Sequence, residues 1–72
     1  MEVKTKFANN MKFYRQQMKL TQQQVADKMN VTKVLYSKYE RGIVQLDYDK
    51  MILVCNILDI TPNDLFEGCF KK

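Results

Sequence analysis

The stretch LTQQQVADKMNVTKVLYSKYERG, residues 20–42, decides the fold of this chain. It begins with the pattern of a capped helix, because the Thr21 hydroxyl can accept from the amide of Gln24 while the Gln24 side chain reaches back. Asn30 then interrupts the helical pattern where a left-handed backbone is useful, a conformation that asparagine tolerates better than most residues. Thr32 caps a second helix, which ends at the closing glycine. The stretch therefore predicts two short helices joined by a tight turn.

Three more helical segments flank this stretch. From about Thr5 to Lys19, apolar and aromatic side chains recur at spacings that place them on one helical face. They are Phe7, Met11, Tyr14 and Met18. Asp47 caps the apolar segment YDKMILVCNIL, and Thr61 caps a short last helix that begins with Pro62. The side chains available for the core from the second and fourth helices are Val25, Ala26, Met29, Met51, Ile52, Val54, Cys55 and Leu58.

Length and composition favour one all-α domain, residues 1–72. A chain of 72 residues is expected to have a modest free energy of unfolding, on the order of 5 kcal/mol. An apolar content of 46% with two glycines and one proline is too hydrophobic for a disordered tail. It is also too poor in turn residues for a many-stranded β-sandwich, so a helical bundle is expected.

The sequence carries no sign of a membrane segment or of a metal-dependent enzyme. MEVKTKF at the N-terminus lacks the apolar core of a signal peptide, and no apolar run approaches the ~20 residues that span a bilayer, so a cytoplasmic location is expected. Histidine is absent, and Cys55 and Cys69 have neither a disulfide-framework nor a metal-ligand spacing. We therefore expect no metal, no cofactor and no enzymatic activity.

Positive charge is concentrated before residue 43. Residues 1–42 contain nine Lys and Arg against three acidic residues, a net charge of +6, whereas residues 43–72 contain three lysines against five acids, a net charge of −2. This distribution is expected if the first part of the chain faces a polyanion. Solvated lysines are nevertheless common on helical surfaces, so charge alone does not identify the partner.

The stretch quoted first resembles the helix-turn-helix of phage repressors and Cro, which bacterial regulators of the xenobiotic response element family also carry. The shared features are LTQ at the start of the second helix, Ala26 at the helix crossing, Val31 after the turn, the Thr32 cap and the closing YERG. The resemblance extends upstream to Arg15 and downstream through LDITPNDLF, roughly nine tenths of the chain. It implies a five-helix, lambda-repressor-like DNA-binding domain whose helix-turn-helix occupies about residues 21–41.

Two departures from the family pattern concern the turn and the third helix. Asn30 replaces the usual glycine. Val34 and Leu35 stand where the family usually has small polar residues, and Tyr36 fills a buried aliphatic site. The family register places Tyr36 inward, whereas a plain helical wheel could equally bury Leu35 one turn after Val31 and leave Tyr36 outside.

The resemblance implies that the third helix enters the major groove of DNA. The candidate base contacts are Lys33, Val34, Leu35, Ser37 and Lys38. Lysine can donate to guanine O6 and N7, whereas valine and leucine suit the thymine methyl group. The alternative is that the two aliphatic residues have no role in recognition. The candidate phosphate contacts are Gln22, Thr32, Arg41 and Lys12. Each of them could instead be an ordinary cap or a solvated charge.

The resemblance also assigns structural roles. In the family, the arginine and glutamate that correspond to Arg15 and Glu40 pair across the first and third helices. Cys55 falls where alanine is frequent in the family, which predicts a buried, inert thiol. The role of Cys69 stays open. Proteins of this type commonly bind DNA as two-fold dimers, and the second half of the chain is the expected source of the interface. The candidates, each of which could instead complete the core, are Ile43, Val44, Ile60, Phe66 and Phe70.

Two functions follow from these observations. The leading hypothesis is a sequence-specific, double-stranded DNA-binding transcriptional regulator, a repressor that acts as a homodimer on an inverted-repeat operator. The alternative is a protein-interaction module, antitoxin-like or an adaptor, in which DNA binding is secondary or absent. Salt dependence distinguishes them, because DNA binding weakens steeply with salt and apolar association does not.

Overall fold

The computed structural model describes residues 3–69, and this part of the chain folds into helices with no strand. The helices are α1 (Val3–Gln17), α2 (Gln22–Met29), α3 (Lys33–Glu40), α4 (Tyr48–Leu58) and α5 (Pro62–Leu65). The expectation of an all-α, five-helix fold is confirmed. Helix α1 begins and ends two residues earlier than the sequence pattern predicted.

Local capping hydrogen bonds fix where the helices begin. The amide of Gln24 donates to the Thr21 hydroxyl over 3.1 Å, and the Thr21 amide donates to Oε1 of Gln24 over 2.8 Å, so the predicted capping box is present. Helices α3, α4 and α5 begin after the predicted caps Thr32, Asp47 and Thr61, whose side-chain oxygens accept from the backbone three residues further on. Each such cap contributes about 1 kcal/mol of stability.

Two residues with a positive φ, Asn30 and Gly42, fix the placement of α3. Asn30 has φ 59° and ψ 41°, the predicted left-handed conformation, and the following amide of Val31 donates to the carbonyl of Ala26 over 3.0 Å. Gly42, after the end of α3, has φ 72°, and a Cβ at this position would lie 3.4 Å from the carbonyl oxygen of Lys4. Because the chain passes this close to α1 with a positive φ, glycine suits the position better than any other residue.

The core lies between α2, α3 and α4 and is closed by α1 and α5. Its buried side chains are Met11, Val25, Ala26, Met29, Tyr36, Tyr39, Val54, Cys55, Leu58 and Leu65. Each large apolar side chain buried in this way contributes about 1.5–3 kcal/mol. Nδ2 of Asn10 in α1 donates to the carbonyl of Leu65, the last residue of α5, over 2.8 Å and to the carbonyl of Glu67, just after it, over 2.9 Å. The first and last helices are thus held together around the core.

Two residues do not lie where the sequence pattern placed them: Met18, expected on the apolar face of α1, and Ile52, expected in the core. Met18 is 46% exposed, because α1 ends at Gln17 and the chain then turns through Lys19 at φ 58°. Ile52 is 54% exposed. It lies about 100° of helical rotation from Met51, which is half-buried against the core, and so points away from the buried side of α4. That buried side consists of Val54, Cys55 and Leu58.

Candidate nucleic-acid interface

Tyr36 sets the register of α3. Its side chain is fully buried and packs edge-on against Tyr39, with ring centroids 6.3 Å apart and ring planes at 87°. Val34 is 66% exposed, whereas Leu35 is half-buried and packs against the core. The family register is therefore confirmed, and the alternative with Tyr36 facing solvent is wrong.

Four of the five candidate base contacts form one arc on the outward side of α3. Lys33, Val34, Ser37 and Lys38 span about 140° of the helix circumference, at about 100° per residue. Lys33 and Val34 are exposed, and Ser37 and Lys38 are half-buried. Leu35 borders the arc next to Lys38, with part of its side chain on the core. The arc can therefore donate hydrogen bonds through two ammonium groups and a hydroxyl and can make apolar contact through a valine.

Most of the candidate phosphate contacts lie at helix ends. Gln22 is the first residue of α2 and Thr32 caps α3, so both stand where backbone amides without a partner inside the helix point outward. Arg41 is the exposed C-cap of α3. Lys12 is also exposed but lies in the middle of α1. All but Lys12 thus belong to the predicted helix-turn-helix.

A buried polar network joins α1, α2 and α3 at Glu40. Nε of Arg15 donates to Oε2 of Glu40 over 2.6 Å, and Nη2 of Arg15 donates to Oε1 over 3.2 Å. The third guanidinium nitrogen, Nη1, donates to the carbonyl of Leu20 over 2.8 Å. Nε2 of Gln22 donates to Oε1 of Glu40 over 3.1 Å. This last bond could not be predicted from the sequence, because no local pattern connects two residues that stand 18 positions apart.

The Arg15–Glu40 pair is largely buried and its cation stays charged. The side chains of Arg15 and Glu40 are 11% and 2% exposed. The hydrogen bond to Glu40 raises the pKa of Arg15, although burial alone would lower it. The guanidinium therefore carries its charge throughout the physiological pH range.

The Tyr36 hydroxyl lies beside this network without a hydrogen bond. It is buried, and within residues 3–69 it has no hydrogen-bond partner. Burial raises the pKa of Tyr36 far above its usual range, and the neighbouring Glu40 carboxylate adds to the effect. Tyrosine at this position thus buries a hydroxyl that interacts electrostatically with Glu40 and Arg15 but lies outside hydrogen-bonding geometry with either.

Comparison with known proteins identifies the arrangement of α2 and α3. A family model described as helix-turn-helix matches residues 11–65. This chain belongs to the helix-turn-helix family of the phage repressor and Cro type. The uncharacterized HTH-type transcriptional regulator YqaE of Bacillus subtilis (strain 168) is 44% identical over 62 residues, which cover 86% of this chain and 53% of that protein. The chain thus spans about half the length of this relative.

Solved structures share the fold of this helix-turn-helix protein. The clp gene regulator ClgR from Corynebacterium glutamicum superposes with a TM-score of 0.86 at 18% identity, covering 92% of this chain and 85% of that chain. The restriction-modification controller protein C.AhdI from Aeromonas hydrophila superposes with a TM-score of 0.80 at 24% identity, covering 86% and 90% of the two chains. At these identities the likeness establishes the fold and no more.

The candidate dimer residues of this helix-turn-helix protein differ in exposure. Ile43 is 61% exposed. Three other candidates are half-buried and contribute to the packing around the core: Val44, Ile60 and Phe66. The ring of Phe66 lies edge-on to Phe7, with centroids 4.9 Å apart. Phe70 lies outside the described residues.

Two exposed apolar residues on α4 were not among those candidates. Tyr48 is 86% exposed, and Ile52 follows it one helical turn later. The neighbouring Met51 lines an apolar cleft of about 240 Å³ between α1, α4 and the segment that joins α3 to α4. The exposure of Ile52 could not be predicted from the sequence, because α4 is apolar on most of its circumference and its pattern does not show which side faces solvent.

The cysteines and acidic residues form neither a disulfide nor a metal-binding cluster within residues 3–69. Cys55 and Cys69 form no disulfide. Cys55 is buried as predicted, and burial raises the pKa of its thiol, with Asp64 adding to the shift. Within residues 3–69 no cluster of histidine, cysteine or acidic side chains could hold a metal ion. None of the helices in that range is long and apolar enough to cross a membrane.

Proposed function

We propose that this chain is a sequence-specific, double-stranded DNA-binding transcriptional regulator that represses transcription as a homodimer on an inverted-repeat operator. The observation that carries the proposal is the outward arc of α3, where Val34 is 66% exposed between lysines. An exposed valine in this position gains free energy only when a partner covers it, and the partner must also accept from two ammonium groups. The major-groove edge of DNA meets both requirements.

The arc reads bases through two kinds of contact. Lys33 and Lys38 donate to guanine O6 and N7, and Ser37 can donate to or accept from either kind of base pair. Val34 and the exposed part of Leu35 contact thymine methyl groups. The short helix, held in register by Tyr36, presents these groups together along a few successive base pairs.

Phosphate contacts fix the orientation of α3 in the groove. Gln22 and Thr32 stand at the N-termini of α2 and α3, where outward amides and the helix dipole favour an anion. Arg41 and Lys12 add charge to the same interface. These groups supply affinity that depends on salt, whereas the arc supplies sequence preference.

A dimer is proposed because the DNA-contacting surface of one copy is small. A single helix-turn-helix contacts few base pairs, and two copies related by a two-fold axis place their recognition helices about 34 Å apart, one turn of DNA. Ile43, Tyr48 and Ile52 are exposed apolar residues that can contribute to the contact between copies. In this proposal, repression follows from occupation of the operator, and the protein acts in the cytoplasm.

Selection of bound sites from random duplex DNA tests the proposal directly. We expect a palindromic consensus with half-sites about 10 base pairs apart and a steep fall in affinity between 50 and 200 mM salt, as phosphate contacts require. Failure to enrich any sequence, together with failure to bind any duplex in dilute buffer, would overturn it.

A protein-interaction module is the second candidate function. It is favoured by the apolar cleft beside Met51 and by the exposed Tyr48 and Ile52. A partner held by these residues would bind with little salt dependence, because the contact is apolar. Binding of a protein partner at 500 mM salt without DNA affinity at 50 mM would favour this candidate over the first.

A further inference from the structure

The Glu40 carboxylate accepts hydrogen bonds from two other helices. Its Oε2 accepts from Arg15 Nε, and its Oε1 accepts from both Arg15 Nη2 and Gln22 Nε2. Its side chain is 2% exposed. Arg15 is itself fixed by the Leu20 carbonyl, immediately before the cap of α2. One buried carboxylate at the end of α3 therefore holds the side chain at the start of α2.

The chemistry of this contact sets the orientation of the Gln22 amide. An ionised carboxylate can only accept hydrogen bonds, so the NH₂ end of the amide must face Glu40. One N–H of Gln22 is used by this bond, and the second N–H of the same nitrogen points in another direction. Gln22 is half-buried and is the first residue of α2, so its side chain also reaches the surface at the helix N-terminus.

We infer that Glu40 is a positioning residue for DNA binding that acts through Gln22. The inference rests on the proposed function, in which Gln22 contacts a phosphate. Glu40 holds the amide so that the second N–H of Gln22 is directed at that phosphate before DNA arrives. A rotamer fixed in advance loses less entropy on binding than a mobile glutamine does. Arg15 offsets the negative charge of Glu40, which would otherwise repel the DNA backbone.

A double-mutant cycle tests whether Glu40 acts through Gln22. The variants are Gln22→Ala, Glu40→Gln and the double substitution, with Gln16→Ala on the exposed side of α1 as the matched control. We expect Gln22→Ala to weaken binding to a fixed duplex about tenfold, as expected for loss of one charge-assisted hydrogen bond. Glu40→Gln should weaken it comparably in the wild-type background and add less than about twofold in the Gln22→Ala background. Gln16→Ala should leave affinity unchanged.

The alternatives give different results. If Glu40 only stabilises the fold, Glu40→Gln will weaken binding by the same factor in both backgrounds, and this result would overturn the inference. An unchanged affinity for Gln22→Ala would also overturn it, while leaving the DNA-binding function intact. If the wild-type chain binds no duplex, the proposed function fails and the inference fails with it.

Side-chain relaxation provides a measurement that needs no Glu40 variant. In the wild-type protein, the Gln22 side-chain amide should show ¹⁵N order close to that of the backbone, whereas the Gln16 amide should be mobile on the ps–ns timescale. A mobile Gln22 amide in the folded, DNA-free protein would contradict the inference even if Glu40→Gln does not fold.

Discussion

Nε of Arg15 lies 2.6 Å from Oε2 of Glu40, and this contact joins the last turn of α1 to the last turn of α3. Both groups are nearly removed from water, so the cost of desolvating two charges opposes their mutual attraction. A pair of this kind adds little net stability compared with two well-packed apolar side chains. Removal of one partner has a much larger effect, since the other charge is left buried and alone.

Arg15→Ala should therefore destabilise the fold strongly. We expect the free energy of unfolding to fall by about 3–5 kcal/mol, which corresponds to a decrease in Tm of more than about 10 °C for a domain of this size. Lys12→Ala is the matched control, because Lys12 lies on the same helix and is exposed. It should change stability by no more than about 0.5 kcal/mol. Equal melting temperatures for the two variants in thermal denaturation would contradict a stabilising role for the pair.

Tyr36→Phe should leave the protein as stable as the wild type or make it more stable. The substitution keeps the buried ring and removes a hydroxyl that has no hydrogen-bond partner among residues 3–69. Relief of an unpaired buried polar atom is expected to add up to about 1 kcal/mol. Tyr36→Ala, which removes the ring, should cost about 3–5 kcal/mol. A loss above about 1 kcal/mol for Tyr36→Phe in urea denaturation would mean that the hydroxyl bonds to Glu40 in solution.

Alkaline pH should destabilise the wild-type protein more than it destabilises Tyr36→Phe. Burial raises the pKa of Tyr36 in the folded state, so the folded protein holds the phenol proton more tightly than the unfolded chain, whose tyrosines ionise near 10.0. The resulting stabilisation is fully present below that pH and is lost as the pH rises above it. The measurement is the free energy of unfolding at several pH values from about 8 to about 11.5. Parallel curves for the two proteins would exclude a contribution from Tyr36.

The helix ends could be predicted because their signals are local. The Thr21 and Gln24 capping box, the left-handed Asn30 and the Asp47 cap each depend on hydrogen bonds or backbone conformations within a few residues. Such features leave the same mark in a sequence wherever the helices later pack. The five helices and the position of the turn therefore follow from the sequence.

Contacts between side chains of different helices were harder to predict from the sequence. A wheel of α3 could not decide between Tyr36 and Leu35 as the buried residue, and only the family resemblance favoured the arrangement that the structure has. The bond from Gln22 to Glu40 spans 18 positions, and the bond from Asn10 to the carbonyl of Leu65 spans 55. Periodicity tells which side of a helix is apolar, but it does not tell which polar side chain on another helix will lie opposite.

Replacement of either lysine of the arc should weaken specific binding and relax one base preference. Lys33→Ala or Lys38→Ala is expected to cost about 1–3 kcal/mol if the ammonium group contacts guanine, with discrimination lost at a single position of the site. Lys12→Ala provides the contrast, because a phosphate contact contributes equally to every sequence and its loss should reduce the salt slope by about one. A uniform loss over all sequences for Lys33→Ala or Lys38→Ala would mark that lysine as a phosphate contact.

Val34→Gln should change which base is preferred without affecting the fold. Val34 is 66% exposed, so its replacement should alter the free energy of unfolding by no more than about 0.5 kcal/mol. Valine contacts the thymine methyl group, whereas glutamine pairs in a bidentate manner with adenine N6 and N7, so the preference at one position should move away from thymine. Val3→Gln is the matched control, because Val3 is 53% exposed but lies at the start of α1. In a randomised-site selection, a consensus shared by Val34→Gln and the wild type would exclude Val34 from base recognition.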